Sequence, residues 1–378
     1  VFASADRLER LRPAVVLVAA KGTGPDFAGF LQLIRHQDYP DYRVILITQS
    51  AEDPAAVQAR RRLGLGDDED TWLAPADATG GAREIQLLVA GLSESEGQKV
   101  HNLRAGLASL RSGDELIAFA DADIVGDDHW LGKLLAPLNL NLAEIASGYR
   151  WLVPSRPRLA TWIASNINAD IAILCGPSWH TLLWGGSMAL TRETFDRLKV
   201  PELFRGSLND DLQLTRAARE NGCRMVFVRS LMAPSPVDYD WGGFVEFARR
   251  QYFQVRVYVP MFWWLGLAAT TLWLAGVINV WVGVFRGADA AWPMIGAAFA
   301  CGLWTHGLRG RYLRALFPEE VRSRLRGARS VAWLTTTVNF AVHWWLIVGS
   351  AFMDGVTWAG IRYRVRGRQR VEVLSRHP

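Results

Sequence analysis

"LIAFADADIVGDDHWL", Leu116–Leu131, decides how this chain folds. Its opening run, Leu116–Ala120, is uninterrupted apolar sequence that stops abruptly at Asp121, with Asp123, Asp127 and Asp128 close behind. A short apolar run bounded by polar residues is the pattern of a strand buried on both faces. The same pattern recurs upstream in "PAVVLVAA" (Pro13–Ala20), "RVILITQ" (Arg43–Gln49) and "EIQLLVAG" (Glu84–Gly91). Between these runs lie helical periodicities. "DFAGFLQLIRHQ" sets Phe27, Phe30, Leu31 and Ile34 on one face, and "DPAAVQARRRL" opens with Asp53 as N-cap and Pro54 at the first helical position. "KVHNLRAGLASLR" is a third helix. Strands alternating with helices predict an α/β fold with a mostly parallel sheet, and ligands of such sheets sit at the carboxyl ends of the strands. Asp53 and Asp121 both fall at strand ends, so both are expected to face one crevice. Neither a G-x-G-x-x-G nor a Walker loop is present to hold phosphate.

The D-x-D of Asp121 and Asp123 supplies hard carboxylate oxygens at a strand end, where Mg²⁺ or Mn²⁺ could bridge them to a diphosphate. Asp127 and Asp128 precede "HWLGKLLAPL" and read as N-cap and first-turn residues of that helix. A second pair, Asp210 and Asp211 in "SLNDDLQLTRAARENG", stands where another helix starts. One of the two is expected to cap it, and a carboxylate there facing the crevice could act as a general base. "LWGGSMALTRE", Leu183–Glu193, adds a Gly-Gly turn at which backbone can approach a ligand closely.

The character of the chain changes near residue 240. Residues 241–258 form an amphipathic, aromatic segment with Arg249, Arg250 and Arg256, the pattern of an interfacial helix. One of these arginines could reach a diphosphate leaving group. Three apolar stretches follow, Val257–Phe285, Ala290–Leu308 and Val331–Phe352, each close to the ~20 residues that cross a bilayer. The net charge of +5 is concentrated in arginine-rich runs beside them. In that setting the runs mark the cytoplasmic face and anionic headgroups rather than nucleic acid. Three full crossings would leave the basic segment from Arg362 opposite the head, so one stretch is expected to be re-entrant or interfacial. The sequence opens at Val1 with no leading apolar segment, so an upstream anchor is expected to be missing. Cys175, Cys223 and Cys301 form no C-x-x-C, which fits a reducing compartment, and the seven histidines form no H-E-x-x-H zinc motif. The expected division is a catalytic domain over 1–240, an interfacial helix over 241–258, a membrane region over 259–352 and a basic cytoplasmic tail over 353–378.

Taken in order, these pieces resemble the family 2 inverting glycosyltransferases, most closely the ceramide glucosyltransferase type with its bacterial hopanoid-associated relatives. "KGTGPDFAGFLQLIRHQDYPDYRVILITQSAEDPA" is similar to the family's first motif, "QKVHNL" to its K-x-x-N-L, and "DADI" to its second aspartate motif. "WGGSMALTRETFDRL" resembles its acceptor-side loop, "DDLQLTRAARENGCRMVF" its E-D motif, and "TWAGIRYRVRG" its C-terminal signature. The resemblance implies a GT-A-type nucleotide-sugar-binding domain followed by a helical membrane region. It also implies transfer of a hexose, of glucose or N-acetylglucosamine type, from a UDP-sugar to a lipid hydroxyl such as ceramide or a hopanoid. Asp53 matches the aspartate at the uracil–ribose end, Lys99 and Asn102 the K-x-x-N donor-binding pair, and Asp121 with Asp123 the metal-binding D-x-D. Asp211 matches the general base, with Asp210 where the family has Glu. Arg250 takes the arginine of (Q/R)-x-x-R-W, whose Trp is Gln251 here and whose leading position is Phe247. The implied setting is a bacterial inner membrane with the catalytic head in the cytoplasm. Two other readings compete: a processive polysaccharide synthase, which carries a fuller Q-x-x-R-W and more spans, and a non-catalytic lipid-binding or assembly protein on a decayed transferase fold.

Overall fold

A computed structural model describes residues 11–24, 26–66, 69–75, 80–176 and 180–376; the opening residues at Val1 lie outside them. In chain order the elements begin β1 (Ala14–Ala19), α1 (Phe27–Arg35), β2 (Tyr42–Thr48), α2 (Pro54–Leu63), β3 (Thr71–Leu73), β4 (Glu84–Val89), α3 (Gln98–Leu107) and β5 (Leu116–Asp121). They continue with α4 (Trp130–Asn139), β6 (Ile145–Pro154), α5 (Leu159–Leu174), β7 (Ser187–Thr191), α6 (Arg192–Arg197), α7 (Val200–Phe204), α8 (Asp211–Glu220) and β8 (Met225–Val237). The last are α9 (Trp241–Tyr258), α10 (Pro260–Phe285), α11 (Ala291–Leu316), α12 (Glu319–Leu334), α13 (Thr336–Ala351), β9 (Gly355–Trp358), β10 (Ile361–Gly367) and β11 (Arg370–Arg376).

Two units are built from these elements, one from residues up to 149, 174–233 and 358 onward, the other from 150–173 and 234–357. This differs from a cut at 240: α5 belongs with the later helices, and the end of the chain belongs with its beginning. In the first unit the sheet order is β3-β4-β2-β1-β5-β7-β6-β8, with β4, β2, β1 and β5 parallel and β3 and β7 antiparallel to their neighbours. Along β1 the side chains alternate, as a pleated strand requires. Val16 and Val18 join the core with α1, α2 and α4, while Val15 and Leu17 join the one with α3, α6, α7 and α8. Helices thus cover both faces, which is why the central strands β1, β2 and β5 are buried and almost entirely apolar, while β4, nearer the sheet edge, keeps Glu84 and Gln86. On α3, a Cβ at Gly106 would stand 2.8 Å from Ile47 and 2.9 Å from Leu17, so glycine lets this helix lie directly on β1 and β2. The register pairs Ala19 with both Ile47 and Asp121. The carboxyl ends of β1, β2 and β5 therefore share one edge, and Asp121 stands on it.

Residues 353–378 were expected as a basic tail, and the structure corrects this. In the sequence "IRYRVRG" of β10, Ile361, Tyr363 and Val365 are buried, with arginines between them. β10 pairs antiparallel with β11. The period of two explains it: the charge is the outer face of a hairpin.

The second unit is helical. Leu152 of β6, Ile163, Ala164 and Ile167 of α5, Phe244 and Ala248 of α9 and Leu346 of α13 make its core. Helix α9 coincides with the expected interfacial segment, and Asp240 caps it by accepting from Gly243 N at 2.7 Å. Among the described residues α10 alone is long and apolar enough to cross a membrane as a single helix. It leaves large apolar side chains uncovered, with Leu272 72 % and Phe285 85 % exposed. The second apolar stretch is the front of α11, whose last turns carry Arg309, Arg311 and Arg314. The third is broken: 319–332 and 336–351 meet at 90°, the shape of a broken span or a re-entrant loop.

Candidate active site

Two backbone crossings bring the acidic motifs together in the first unit. At the start of α3, Gly97 N donates to Ser207 O at 2.8 Å, and a Cβ on Gly97 would sit 2.4 Å from Leu208 O. Only glycine allows that approach, which sets Lys99 against the start of α8. Asn209 then caps α8, its Oδ1 accepting from Leu212 N at 2.7 Å, whereas Asp210, which occupies the N-cap position, makes no side-chain cap bond. Asn209 and Asp211 both accept from that first-turn N–H, whereas the Asp210 carboxylate, in the N-cap position, turns elsewhere.

Asp210 turns to Lys99, whose Nζ lies 2.7 Å from Asp121 Oδ1 and 3.1 Å from Asp210 Oδ2. Asp210 is fully buried, and although its charge is matched by Lys99, neither oxygen makes a well-directed hydrogen bond. Asp211 accepts from Gly185 N at 2.8 Å through Oδ2 and from Leu212 N at 2.7 Å through Oδ1. Burial opposes the ammonium of Lys99, yet Asp121, Asp210 and Asp211 outweigh it and hold its pKa above the ordinary value. Burial, and then the neighbouring charge of Asp210, push Asp211 up to about 6 against the pull of Lys99 and the Gly185 N–H. The Gly-Gly turn fits here because a Cβ at Gly185 would fall 2.6 Å from Asp210 Oδ2 and 2.7 Å from Lys99 Nζ. Three carboxylates face one ammonium, so the cluster carries excess negative charge.

The remaining candidates sit around this centre in different ways. Asp123 is exposed in the turn after β5. No group of three or more His, Cys, Asp or Glu side chains is arranged to hold an ion among the described residues; an ion on Asp121 and Asp123 would draw its other ligands from substrate and water. Asp53 is the N-cap of α2 as expected, and its Oδ1 accepts from both Ala55 N (2.9 Å) and Gly22 N (2.8 Å), which fixes the turn after β1. Beside it Thr23, Glu52, Gln58, Arg61 and Arg62 line an open groove. Asn102 is buried and used as a brace, donating to Ile47 O at 3.4 Å and accepting from Gln98 Nε2 at 2.8 Å. Asp127 and Asp128 do not cap α4, whose N-cap is His129. Asp127 instead accepts from His129 N and pairs with Lys133 at 2.6 Å. Arg250 belongs to the second unit. There, Arg150 and Arg250 lie 5.5 and 5.6 Å from the Phe247 ring centroid, and burial, then Arg150, hold the Arg250 pKa below its usual value.

Residues 13–257 match the family described as "Glycosyltransferase like family 2". The chain belongs to this family. No curated protein sequence matches it. Among solved structures it is similar to the mannosyltransferase PcManGT from Pyrobaculum calidifontis in complex with GDP-Man and Mn²⁺, at 16% identity and TM-score 0.45, over 90% of this chain and 86% of that one. It is also similar to glucosyl-3-phosphoglycerate synthase from Mycobacterium tuberculosis with Mn²⁺, UDP-glucose and glycerol 3-phosphate, at 12% identity and TM-score 0.40, over 65% and 79% of the two chains. The same synthase with Mg²⁺ and UDP gives 14% identity and TM-score 0.41, over 65% and 78%.

The match spans the whole α/β sheet, which is the GT-A fold of family 2, and runs through Arg250 to the end of α9. Several residues that shape the cluster around Lys99 were not singled out from sequence. Glu96 is buried and binds Arg104 through both oxygens (2.8 and 2.9 Å) and Gly206 N at 2.8 Å, locking the approach to α8 onto α3. Tyr363 Oη accepts from Gln98 N at 3.1 Å, and Arg376 donates to Gln98 Oε1 at 3.1 Å, so the C-terminal hairpin holds the first residue of α3 beside Lys99. Lys21 Nζ donates to Ala359 O at 2.6 Å. The period-two pattern of β10 was the available clue to the hairpin; its partner on α3 had none.

Proposed function

We propose that the chain is a membrane-bound inverting glycosyltransferase that moves a hexose from a UDP-sugar to a lipid hydroxyl. The observation that carries this reading is Asp211, a half-buried carboxylate whose pKa is pushed up to about 6, set beside the Lys99–Asp121 pair in a family 2 domain. In this reading Asp211 takes the proton of the acceptor hydroxyl as that oxygen attacks the anomeric carbon, and inversion follows from attack opposite the leaving nucleotide. Lys99 pairs with Asp121 and Asp210, and the neighbouring charge of Asp210 helps make Asp211 basic enough to accept a proton.

Asp121 and Asp123 would hold Mg²⁺ or Mn²⁺, for which hard oxygen donors and an excess of negative charge are suited. When bound, such an ion neutralises charge on the nucleotide's diphosphate. Arg250 falls within the family match, and its guanidinium is assigned to the departing UDP. The exposed apolar surface of α10 favours a membrane setting with a lipid acceptor of ceramide or hopanoid type, the head facing the cytoplasm of a bacterial inner membrane. Gln251, standing where the family motif has Trp, favours a second reading: a non-catalytic lipid-binding protein that retains UDP-sugar binding.

UDP release by the detergent-purified protein separates them. The assay takes a panel of UDP-sugars with Mg²⁺ or Mn²⁺, with and without lipid extract. Release that requires metal and lipid together and selects one sugar establishes the transferase. Metal-dependent UDP binding with no release from any sugar replaces it with the non-catalytic protein.

A further inference from the structure

The helical unit holds a cluster of cations that its own carboxylates do not balance. Helix α11 carries His306, Gly310 and Arg314 at i, i+4 and i+8, one stripe along one face. The guanidinium of Arg329, from α12, lies across the middle of that stripe. Its Nη2 is 3.2 Å from His306 Nε2, and a Cβ on Gly310 would stand 2.9 Å from the same Nη2. Gly310 is therefore the gap that lets a guanidinium rest on the helix backbone. The placement is held from behind. Asn166 Nδ2 donates to Ala328 O at 3.0 Å, and Gly327 packs so tightly on Trp162 that a Cβ would meet its ring at 2.6 Å.

Within this cluster Arg329 Nε is buried with no hydrogen-bond partner, and neither Arg329 nor Arg314 has a carboxylate partner among the described residues. The nearby carboxylate, Asp170, is engaged by Arg309 and lies 3.7 Å from His343. Since His306 Nε2 accepts from a guanidinium, its ring is neutral in this arrangement and its Nδ1–H remains a donor. Burying a guanidinium nitrogen without a partner is unfavourable, and a planar fork of N–H donors is suited to a tetrahedral oxyanion. Arg314 is exposed and His306 and Arg329 half-buried, so the cluster is open to a ligand from outside.

We propose that Arg329, Arg314 and His306 form a binding site for a phosphate-type oxyanion, presented as the headgroup of a membrane lipid or as free phosphate. Basic pockets between helices at a membrane surface take anionic headgroups by the same chemistry.

The test is retention of phosphatidylglycerol by the full chain in detergent, read by native mass spectrometry, alongside binding of inorganic phosphate by calorimetry. Arg329→Gln should lower retention about tenfold, the effect of losing a charge-assisted pair. Gly310→Ala keeps every charge, favours the helix and displaces the guanidinium, so it should lower retention several-fold without loss of folding. Arg322→Gln, on the same helix but paired with Glu319, should change nothing. Loss of phosphatidylglycerol in both variants, with no calorimetric response to phosphate, assigns the site to a lipid headgroup. Phosphate binding that the same variants abolish assigns it to a free anion. Equal retention of both ligands by parent, Arg329→Gln and Gly310→Ala, all folded, overturns the site.

Discussion

Lys99 and Arg329 are both cations held between helices, and their surroundings are opposite in sign. Around Lys99 the α/β unit gathers Asp121, Asp210 and Asp211, more carboxylate than one ammonium neutralises. Around Arg329 the helical unit gathers His306 and Arg314 and leaves a guanidinium nitrogen buried without a partner. In each place the residual charge sets what the cluster attracts: a cation, or a ligand carrying one, in the first, and an anion in the second. The first arrangement is carried by strand ends and glycine crossings that leave little freedom. The second rests on side chains laid over a helix.

The largest effect that would break this contrast comes from Asp211, the proposed base. Asp211→Asn should reduce glycosyl transfer by about 10²–10⁴-fold while UDP binding, followed by calorimetry, stays within a few-fold. The sign for stability runs the other way. A carboxyl whose pKa is raised on folding contributes stability below its ordinary value near 4 and loses that contribution as pH rises through about 6. At pH 7 the Asn variant should therefore melt no lower than the parent. A lower melting temperature with a parallel loss of UDP binding would make Asp211 a structural residue.

Gly185→Ala comes next. A methyl group placed 2.6 Å from Asp210 and 2.7 Å from Lys99 must push the pair apart. Overpacking of about 1–3 kcal/mol corresponds to roughly a five- to 150-fold loss in kcat/KM. Full activity would show that the Lys99–Asp210 contact is not needed for turnover.

Smaller and more diagnostic is the pH profile. With Asp211 protonated below about 6, kcat/KM should fall on the acid side with an apparent pKa near that value. Asp210→Asn removes the like charge that helps raise it, so the acid limb should shift to lower pH. An unshifted limb would assign it to a group other than Asp211.

How much of this was legible in sequence follows from the same contrast. Apolar runs marked β1, β2, β4 and β5 to within two residues at their ends, and helical periodicity marked the buried face of α1, because elements packed in the middle of the sheet and against it allow little else. Asp53 as N-cap and Asp121 at a strand end were equally plain. Asn209 was not: which of three consecutive polar residues caps a helix depends on where Gly97 lets the chains cross, a tertiary fact. Asp127 was misread as the cap for the related reason that the helix starts two residues later than the pattern suggests, so its carboxylate meets His129 N and, six residues on, Lys133. In the helical unit, hydropathy marked long apolar stretches but not the 90° bend near Thr335, because the angle at which arginine-rich α12 meets apolar α13 is set by packing and not by composition.

The smallest effect probes the part of the site that hydropathy misassigned most fully, the C-terminal hairpin. Tyr363 is buried, and its hydroxyl is the acceptor for Gln98 N, next to Lys99. Tyr363→Phe preserves the ring and strands that N–H without a partner, costing about 1–3 kcal/mol of local stability at the start of α3. Because Lys99 is the next residue, the expected result is a few-fold rise in KM for the UDP-sugar with kcat little changed. Arg362→Gln, on the exposed face of the same strand, is the matched control and should leave KM alone. If both variants leave KM unchanged, the hairpin covers the unit without positioning it. If Arg362→Gln alone raises KM, the charge of this strand is what acts on the donor site. A rise confined to Tyr363→Phe places the end of the chain among the elements that hold Lys99, and extends the donor side of the comparison to a strand more than 250 residues away from it in sequence.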